Sequence, residues 1–183
     1  MTEVAEGVLT YNLDAVHSSV QFSVRHLAIS HVRGEFTGLS GTLIVDPSDP
    51  TNSEVTVTID ASTVNTRTPD RDAHLKSADF FDVANYPTIT FVSTSITKTS
   101  DEEGTVTGDL TIHGVTKSET LAVEGSLKDS KDPWGNWRLG FTGKTKIKRS
   151  DFGLTYNAVL ETGGVVISDS VELTVDVQFV RPA

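Results

Sequence analysis

The feature that constrains this chain most is an alternation of apolar and polar residues with period two, repeated from one end to the other. In "EVTVTID", Val55, Val57 and Ile59 alternate with Glu54, Thr56, Thr58 and Asp60. In "VELTVDVQF", Val171, Leu173, Val175, Val177 and Phe179 alternate with Glu172, Thr174, Asp176 and Gln178. Successive side chains of a strand point to opposite faces, so each segment is a strand with one dry and one wet face. Fainter versions run through Val20-Phe22-Val24, Leu43-Val45, Ile89-Phe91, Val106 to Ile112, Leu121-Val123, and Leu139-Phe141 to Ile147, which makes about eight strands. Turn-forming stretches separate them: "VDPSDPTNS", "SDEEG", "HGVTK" and "KDPWGNW". Most are short, so sequential strands pair antiparallel as a meander.

Several strands run to roughly twelve to fifteen residues, or about 40 to 50 Å, twice the ordinary length. A long, twisted meander with one apolar face hides that face and loses its edges by closing on itself. The all-β expectation is therefore an extended eight-stranded antiparallel barrel, packed by side chains or holding one slender ligand. A β-sandwich is the alternative that alternation alone leaves open. With 183 residues the chain suits a single domain, 1–183, with residues 1–9 flexible.

One stretch breaks the pattern. In "RTPDRDAHLKSADFF", Thr68 suits a helix cap and Pro69 a first helical position, while Asp70 and Asp72 lie near the positive end of the helix dipole. A short helix to about Ser77 is expected between the third and fourth strands. Across one end of a barrel it would turn Leu75, Phe80 and Phe81 inward as a lid.

Charge and composition exclude several function classes. The net charge of −10 and pI of about 4.8 repel a phosphate backbone, so nucleic acid is not an expected partner. There is no cysteine, hence no disulfide, thiolate chemistry or Cys-based metal site. The opening "MTEVAEGVLT" has neither a basic region nor a long apolar run, and the chain as written is expected in the cytoplasm. No segment is apolar for the length of a membrane-spanning helix.

The candidate chemistry is sparse. Asp70 and His74 share a helix face, which suits acid/base work or, more simply, a local hydrogen-bond network. His17 and His26 are an odd number of positions apart and point to opposite faces of an unbroken strand, so they share no metal; His17 reads as a buried pair with Asp14. Lys144, Lys146 and Lys148 form one solvated face, or a contact for anionic lipid head groups. Trp134 and Trp137 pack over a hairpin turn or touch a membrane interface. Gly34, Gly38 and Gly41 mark bulges, bends or a place where something bulky passes close to the backbone.

With these elements placed, the chain resembles the YceI-like family of polyisoprenoid-binding, lipocalin-like proteins. The resemblance runs from Tyr11 to Val180 through "YNLDAVHSSVQFSVRH", "GEFTGLSGTLIVD", "IDASTVNTRTPDRDAHLKSADFFDVANYPTITFVS", "VTGDLTIHGVTKSETLAV", "IKRSDFGL" and "ISDSVELTVDV". The "ETGGVVIS" loop and the tryptophan pair look individual to this chain. The resemblance implies a lipocalin-like barrel whose apolar cavity takes a polyprenyl lipid or isoprenoid quinone, and a homodimer; transient contact with a membrane surface is the reading that the lysine face and the tryptophans add, and no cofactor is expected. Alternation and the helix then assign Phe22, Phe36, Val57, Ile59, Leu75, Phe80, Phe81, Phe91, Leu110, Ile112, Leu121, Phe141, Phe152 and Leu173 to the wall. Arg33, Arg71 and His74 are assigned to a polar head group at the mouth. Two other readings stand beside a carrier or store: an enzyme acting on such a lipid through Asp70, Asp72, Arg71 and His74, and a structural module with a filled core.

Overall fold

The last two long strands, β10 (Trp137–Lys148) and β11 (Ile167–Arg181), pair in unbroken antiparallel register from Trp137↔Arg181 to Lys148↔Ser170, and that ladder turns the meander into a tube. The computed structural model describes residues 7–158, 160 and 164–183. Before the closing pair come β1 (Leu9–Leu13), β2 (Ser19–His26), β3 (Ser30–Phe36), β4 (Leu39–Val45), β5 (Glu54–Asp60), β6 (Thr88–Lys98), β7 (Glu103–Ile112), β8 (Val115–Gly125) and the two-residue β9 (Ser130–Lys131). One short helix, α1 (Pro69–Lys76), sits between β5 and β6. Of the N-terminal segment expected to be flexible, residues 1–6 lie outside the described residues and Leu9 opens β1.

The fold is a closed eight-stranded antiparallel, lipocalin-like barrel. The count reaches eight because β1 and β2 are two halves of one wall strand, and β3 and β4 two halves of the next. Both β1 and β2 lie against β11, and they pair with β4 and β3 respectively. The break in the first strand is written in local polar chemistry. The Asp14 carboxylate accepts from the Val16 amide at 3.1 Å and starts a turn of 3-10 helix, Ala15–His17. The Gln178 amide on β11, left without a strand partner there, donates instead to Ser18 Oγ at 3.0 Å. His17 does meet Asp14, Nδ1 to Oδ2 2.9 Å, but on the surface: its side chain is 57% exposed, because it sits on the break and not within a strand.

Loops 46–53, 99–102 and 126–136 gather at one end, called the base. The 27–29 turn, α1, the His113-Gly114 turn, residues 149–158 and residues 164–166 gather at the other, called the top. Tyr11, Leu43, Val45, Leu139, Val177 and Phe179 form a buried cluster on the base half of β4, β1, β11 and β10. The Tyr11 hydroxyl donates to Asp129 at 2.6 Å there, with the Arg181 guanidinium 5.3 Å above its ring. Trp137 lies half-buried beneath Lys131 and Arg181, while Trp134 is 80% exposed, so only one of the pair covers the turn. A second cluster, including Val20, Phe36, Ile59, Ile112 and Phe152, lies toward the top. The top is less tightly stitched. β8 and β10 pair only from Phe141↔Gly125 to Lys144↔Ala122, and beyond that point each keeps one neighbour, β7 or β11.

Arg138 joins three elements at the base. Its Nη1 lies 2.7 Å from Asp14 and its Nε 2.8 Å from Asp132, tying the break between β1 and β2 to the turn ahead of β10. Hydrogen bonds from Arg138 and His17 hold the Asp14 carboxyl down to about 2. Asp132 also falls to about 2: desolvation opposes ionisation most strongly, but bonds from Arg138, Asn136 and the Trp134 amide together outweigh it. A carboxylate with a depressed folded pKa contributes stability that is complete above its unfolded value and disappears as pH falls toward the folded one. Denaturation midpoints of the wild type should therefore fall as pH goes from about 4 to about 2. Arg138→Gln should be less stable at pH 6, by on the order of 1 kcal/mol for Asp14 once solvent screening is allowed for, and the two proteins should converge near pH 2.

Candidate ligand-binding site

Inward-facing residues of all eight wall strands line a cavity of about 910 Å³ that extends through the barrel toward the top. The wall is built by parity. Val57 and Ile59 on β5, Ile89 and Phe91 on β6, Leu110 and Ile112 on β7, Leu121 and Val123 on β8, and Leu173 and Val175 on β11 all fall on the inward face of the pleat. Two glycines make room for rings. A Cβ on Gly34 of β3 would overlap the Phe22 ring, and one on Gly108 of β7 would sit 2.5 Å from the Phe91 ring. The bulky neighbour that Gly34 accommodates is thus the protein's own phenylalanine.

The top is covered by the segment that interrupts the strand pattern. α1 follows Thr68, whose side chain makes no capping bond. Asp72 instead ties the helix back to the chain before it, its Oδ1 accepting from the Thr66 amide at 2.8 Å and the Thr66 hydroxyl at 2.6 Å. Arg71 bonds the same threonine, Nε to Oγ1 and Nη2 to the carbonyl, each at 2.8 Å. His74 Nε2 lies 2.9 Å from Asp79 and not against Asp70. Asp72, Arg71 and His74 are thus engaged in holding α1 and the turn after it. The His74, Phe80 and Tyr156 rings pack in a triangle with centroids 4.9 to 5.1 Å apart, joining α1 to the 149–158 segment over the cavity. Phe81 continues inward to Phe36 and Phe22, centroids 5.5 and 5.8 Å apart, so one aromatic path runs from lid to wall.

Every residue assigned to the wall from sequence lies on this cavity except Phe152. Phe152 is fully buried in the cluster near the top, because β10 ends at Lys148 and the chain turns through a 3-10 helix, Arg149–Phe152, that fills the space where β8 and β10 part. Arg71 and His74 reach the cavity; Arg33 does not. On β3 the inward parity belongs to Val32, Gly34 and Phe36, so Arg33 is exposed on the outer wall. Lys144, Lys146 and Lys148 also face outward, with Lys146 3.7 Å from Glu172. Among the described residues no group of histidines and carboxylates is placed to hold a metal ion. No helix of the described residues is long and apolar enough to cross a membrane. Part of "ETGGVVIS", residues 161–163, lies outside the described residues.

Glu119 and Arg149 are among the charged residues on the cavity that were missed from sequence. Glu119 on β8 lines the cavity, and burial, reinforced by Asp151, pushes its carboxyl above the ordinary glutamate range. The signal was present: Glu119 is two positions before Leu121 and shares its face. Arg149 is only 7% exposed and its guanidinium makes four bonds to carbonyls: Nε to Ser168 at 3.0 Å, Nη1 to Leu154 at 2.7 Å and Tyr156 at 2.9 Å, and Nη2 to Ile167 at 3.3 Å. Burial lowers its pKa, with Asp169 opposing. It ties Leu154 and Tyr156 to Ile167 and Ser168 at the top, through carbonyls distant in sequence.

The match to known proteins follows from this geometry. A YceI-like domain model matches residues 11–179. The chain belongs to the YceI-like family. Protein YceI of Salmonella newport is 40% identical over 165 residues, 90% of this chain and 82% of that protein. The Campylobacter jejuni YceI structure, 35% identical, superposes with a TM-score of 0.73 over 87% of this chain and 90% of that one. A polyisoprenoid-binding domain from Saccharophagus degradans, implicated in plant cell wall breakdown, is 20% identical and shares the fold at a TM-score of 0.67 over 94% of this chain and 98% of its own.

Arg149 is the residue of this site most open to test. Replacing it with Gln strands most of four carbonyls, so Arg149→Gln should cost about 3 kcal/mol or more in chemical denaturation. Arg149→Lys, which keeps the charge and loses the planar fork, should recover less than half of that.

Proposed function

We propose that this chain binds a long-chain isoprenoid lipid, a polyprenyl lipid or an isoprenoid quinone, in the barrel cavity and acts as its carrier or store without catalysing a reaction. The observation that carries this is the apolar void itself: about 910 Å³ walled by Phe, Leu, Ile and Val, reaching from the base loops at Ser53, Lys98 and Lys128 to the aromatic rings over the top. A filled-core module is incompatible with such a void. At about 30 Å³ for each carbon with its hydrogens, close to the share of one water, the cavity takes roughly 30 carbons. The shared fold with the polyisoprenoid-binding domain of S. degradans supports the same ligand class.

Energetics favour exchange with a membrane over capture from water. Burying roughly 30 carbons at ~0.8 kcal/mol each gives about 24 kcal/mol, above the ceiling near 20 kcal/mol seen for noncovalent binding. A chain leaving a bilayer passes from one apolar medium to another, so its transfer is nearly balanced and reversible. Polar groups at the top then select the head group, and Arg71 and His74 are the assigned candidates. The homodimer implied by the family is part of this proposal and is read by analytical ultracentrifugation.

The non-enzymatic reading rests on the commitment of Asp72, Arg71 and His74 to local bonds in the lid. Organic extraction of protein purified from its natural host, followed by mass spectrometry, should yield an isoprenoid lipid; protein that neither carries nor takes up any such lipid would overturn the proposal. Leu121→Trp and Leu173→Trp place large rings in the void. Each should reduce uptake of a fluorescent polyprenyl probe at least tenfold, while stability changes by under about 2 kcal/mol because the ring enters empty space.

A further inference from the structure

The 27–29 turn between β2 and β3 runs against the usual chemistry of such turns. Leu27 and Ala28 both hold φ of 55°, and the Ile29 amide closes the turn on His26 at 3.2 Å. Two consecutive left-handed residues suit Asn-Gly or Gly-Gly, which fold there without strain and prefer water. This chain places Leu-Ala-Ile there instead. The Ile29 side chain is 83% exposed and Leu27 37% exposed. Val165, 47% exposed, extends the apolar surface from the adjoining segment, where the Val166 carbonyl accepts from the Leu27 amide at 2.8 Å.

The charge around the tip is equally selective. In a chain of net charge −10, Ala15 to Gly34 is the longest run without Asp or Glu, and it carries Arg25, Arg33, His17, His26 and His31. The tip stands at the top of the barrel beside the cavity: Arg25, His26, Val166 and Ile167 all line it. Ile29 and Arg33 do not.

We infer that the 27–29 turn is a membrane-docking tip, inserting Leu27 and Ile29 among the acyl chains of an anionic bilayer while Arg25 and Arg33 meet its phosphate head groups. Exposed apolar side chains on a tip flanked by the exposed Arg25 and Arg33 of its own two strands match the depth profile of an anionic interface. A second copy of this chain, itself acidic, matches the tip's charge less specifically than a layer of phosphates. Docking there would hold the mouth of the cavity against the membrane. The location gains its meaning from the lipid-carrier reading, but the docking is measured without cargo.

The test is co-sedimentation of the full chain with vesicles of phosphatidylcholine alone or mixed 7:3 with phosphatidylglycerol. Wild type should partition to the mixed vesicles, less so at high salt, and poorly to phosphatidylcholine. Ile29→Asp should lower partitioning at least tenfold, and Arg33→Gln about fivefold, as one cation near an anionic surface predicts. Trp134→Ala, at the barrel base, should bind as wild type. Leu27→Asn with Ala28→Gly supplies the residues the turn geometry prefers: its melting temperature should hold or rise while vesicle binding falls, which separates docking from folding. Ile29→Asp should still take up the fluorescent polyprenyl probe, so a lost carrier function would register independently of lost docking. The inference is overturned if wild type ignores anionic vesicles, if only Trp134→Ala weakens binding, or if Ile29→Asp leaves binding intact. It is also overturned if Ile29→Asp does no more than convert a dimer to monomer.

Discussion

Everything in this molecule depends on giving one continuous apolar sheet face somewhere dry to be. A meander with a single oily surface and two bare edges is unstable in water, and the β10–β11 ladder resolves both problems at once. That ladder joins residues 137–148 to residues 170–181, so closing it also brings residues 149–158 into place as a cap at the top. Arg149 then secures that cap by filling its inward side with a guanidinium whose donors are nearly all spent on carbonyls.

A closed barrel of this size packs solid or stays hollow according to its side chains. Here the division follows position. On the base half, Tyr11, Leu43, Leu139 and Phe179 pack side by side along the neighbouring strands β4, β1, β11 and β10, whereas Gly34 and Gly108 make room for the Phe22 and Phe91 rings against the wall. Rings that hug the wall thicken it without crossing the middle. The lid completes the enclosure with His74, Phe80 and Tyr156, which come from two segments linked by neither strand pairing nor sequence proximity. The incomplete stitching of β8 to β10 and the two broken wall strands lie on the same molecule without opening the tube, because the Phe152 turn and the Asp14–Ser18 turn satisfy what the ladders leave over.

Much of this was legible in the sequence wherever a local rule governs. Period-two alternation placed the strands and the inward faces, down to Val57, Leu110, Leu121 and Leu173. Pro69 and the charge run after it placed α1 in the gap between β5 and β6. The misreadings share one cause. Phe152 was assigned to the wall by alternation and Arg33 to a head group at the mouth, but the end of β10 takes Phe152 out of the strand pattern and parity on β3 turns Arg33 outward. His17 was expected to be buried because its strand was read as unbroken. Glu119 went unremarked though its parity with Leu121 was visible, since a carboxylate on an apolar face runs against composition and not against period.

Sequence alone determined that this chain is all-β, antiparallel, interrupted by one helix and oily on one side, because those properties follow from each residue's relation to neighbours one or two positions away. Whether the tube is hollow, which rings close it and which cation holds the cap were decided only in three dimensions. A cavity is defined by what fails to meet across it, and the partners of Arg149, Gly34 and Tyr156 are brought near only when the ends of the sheet join.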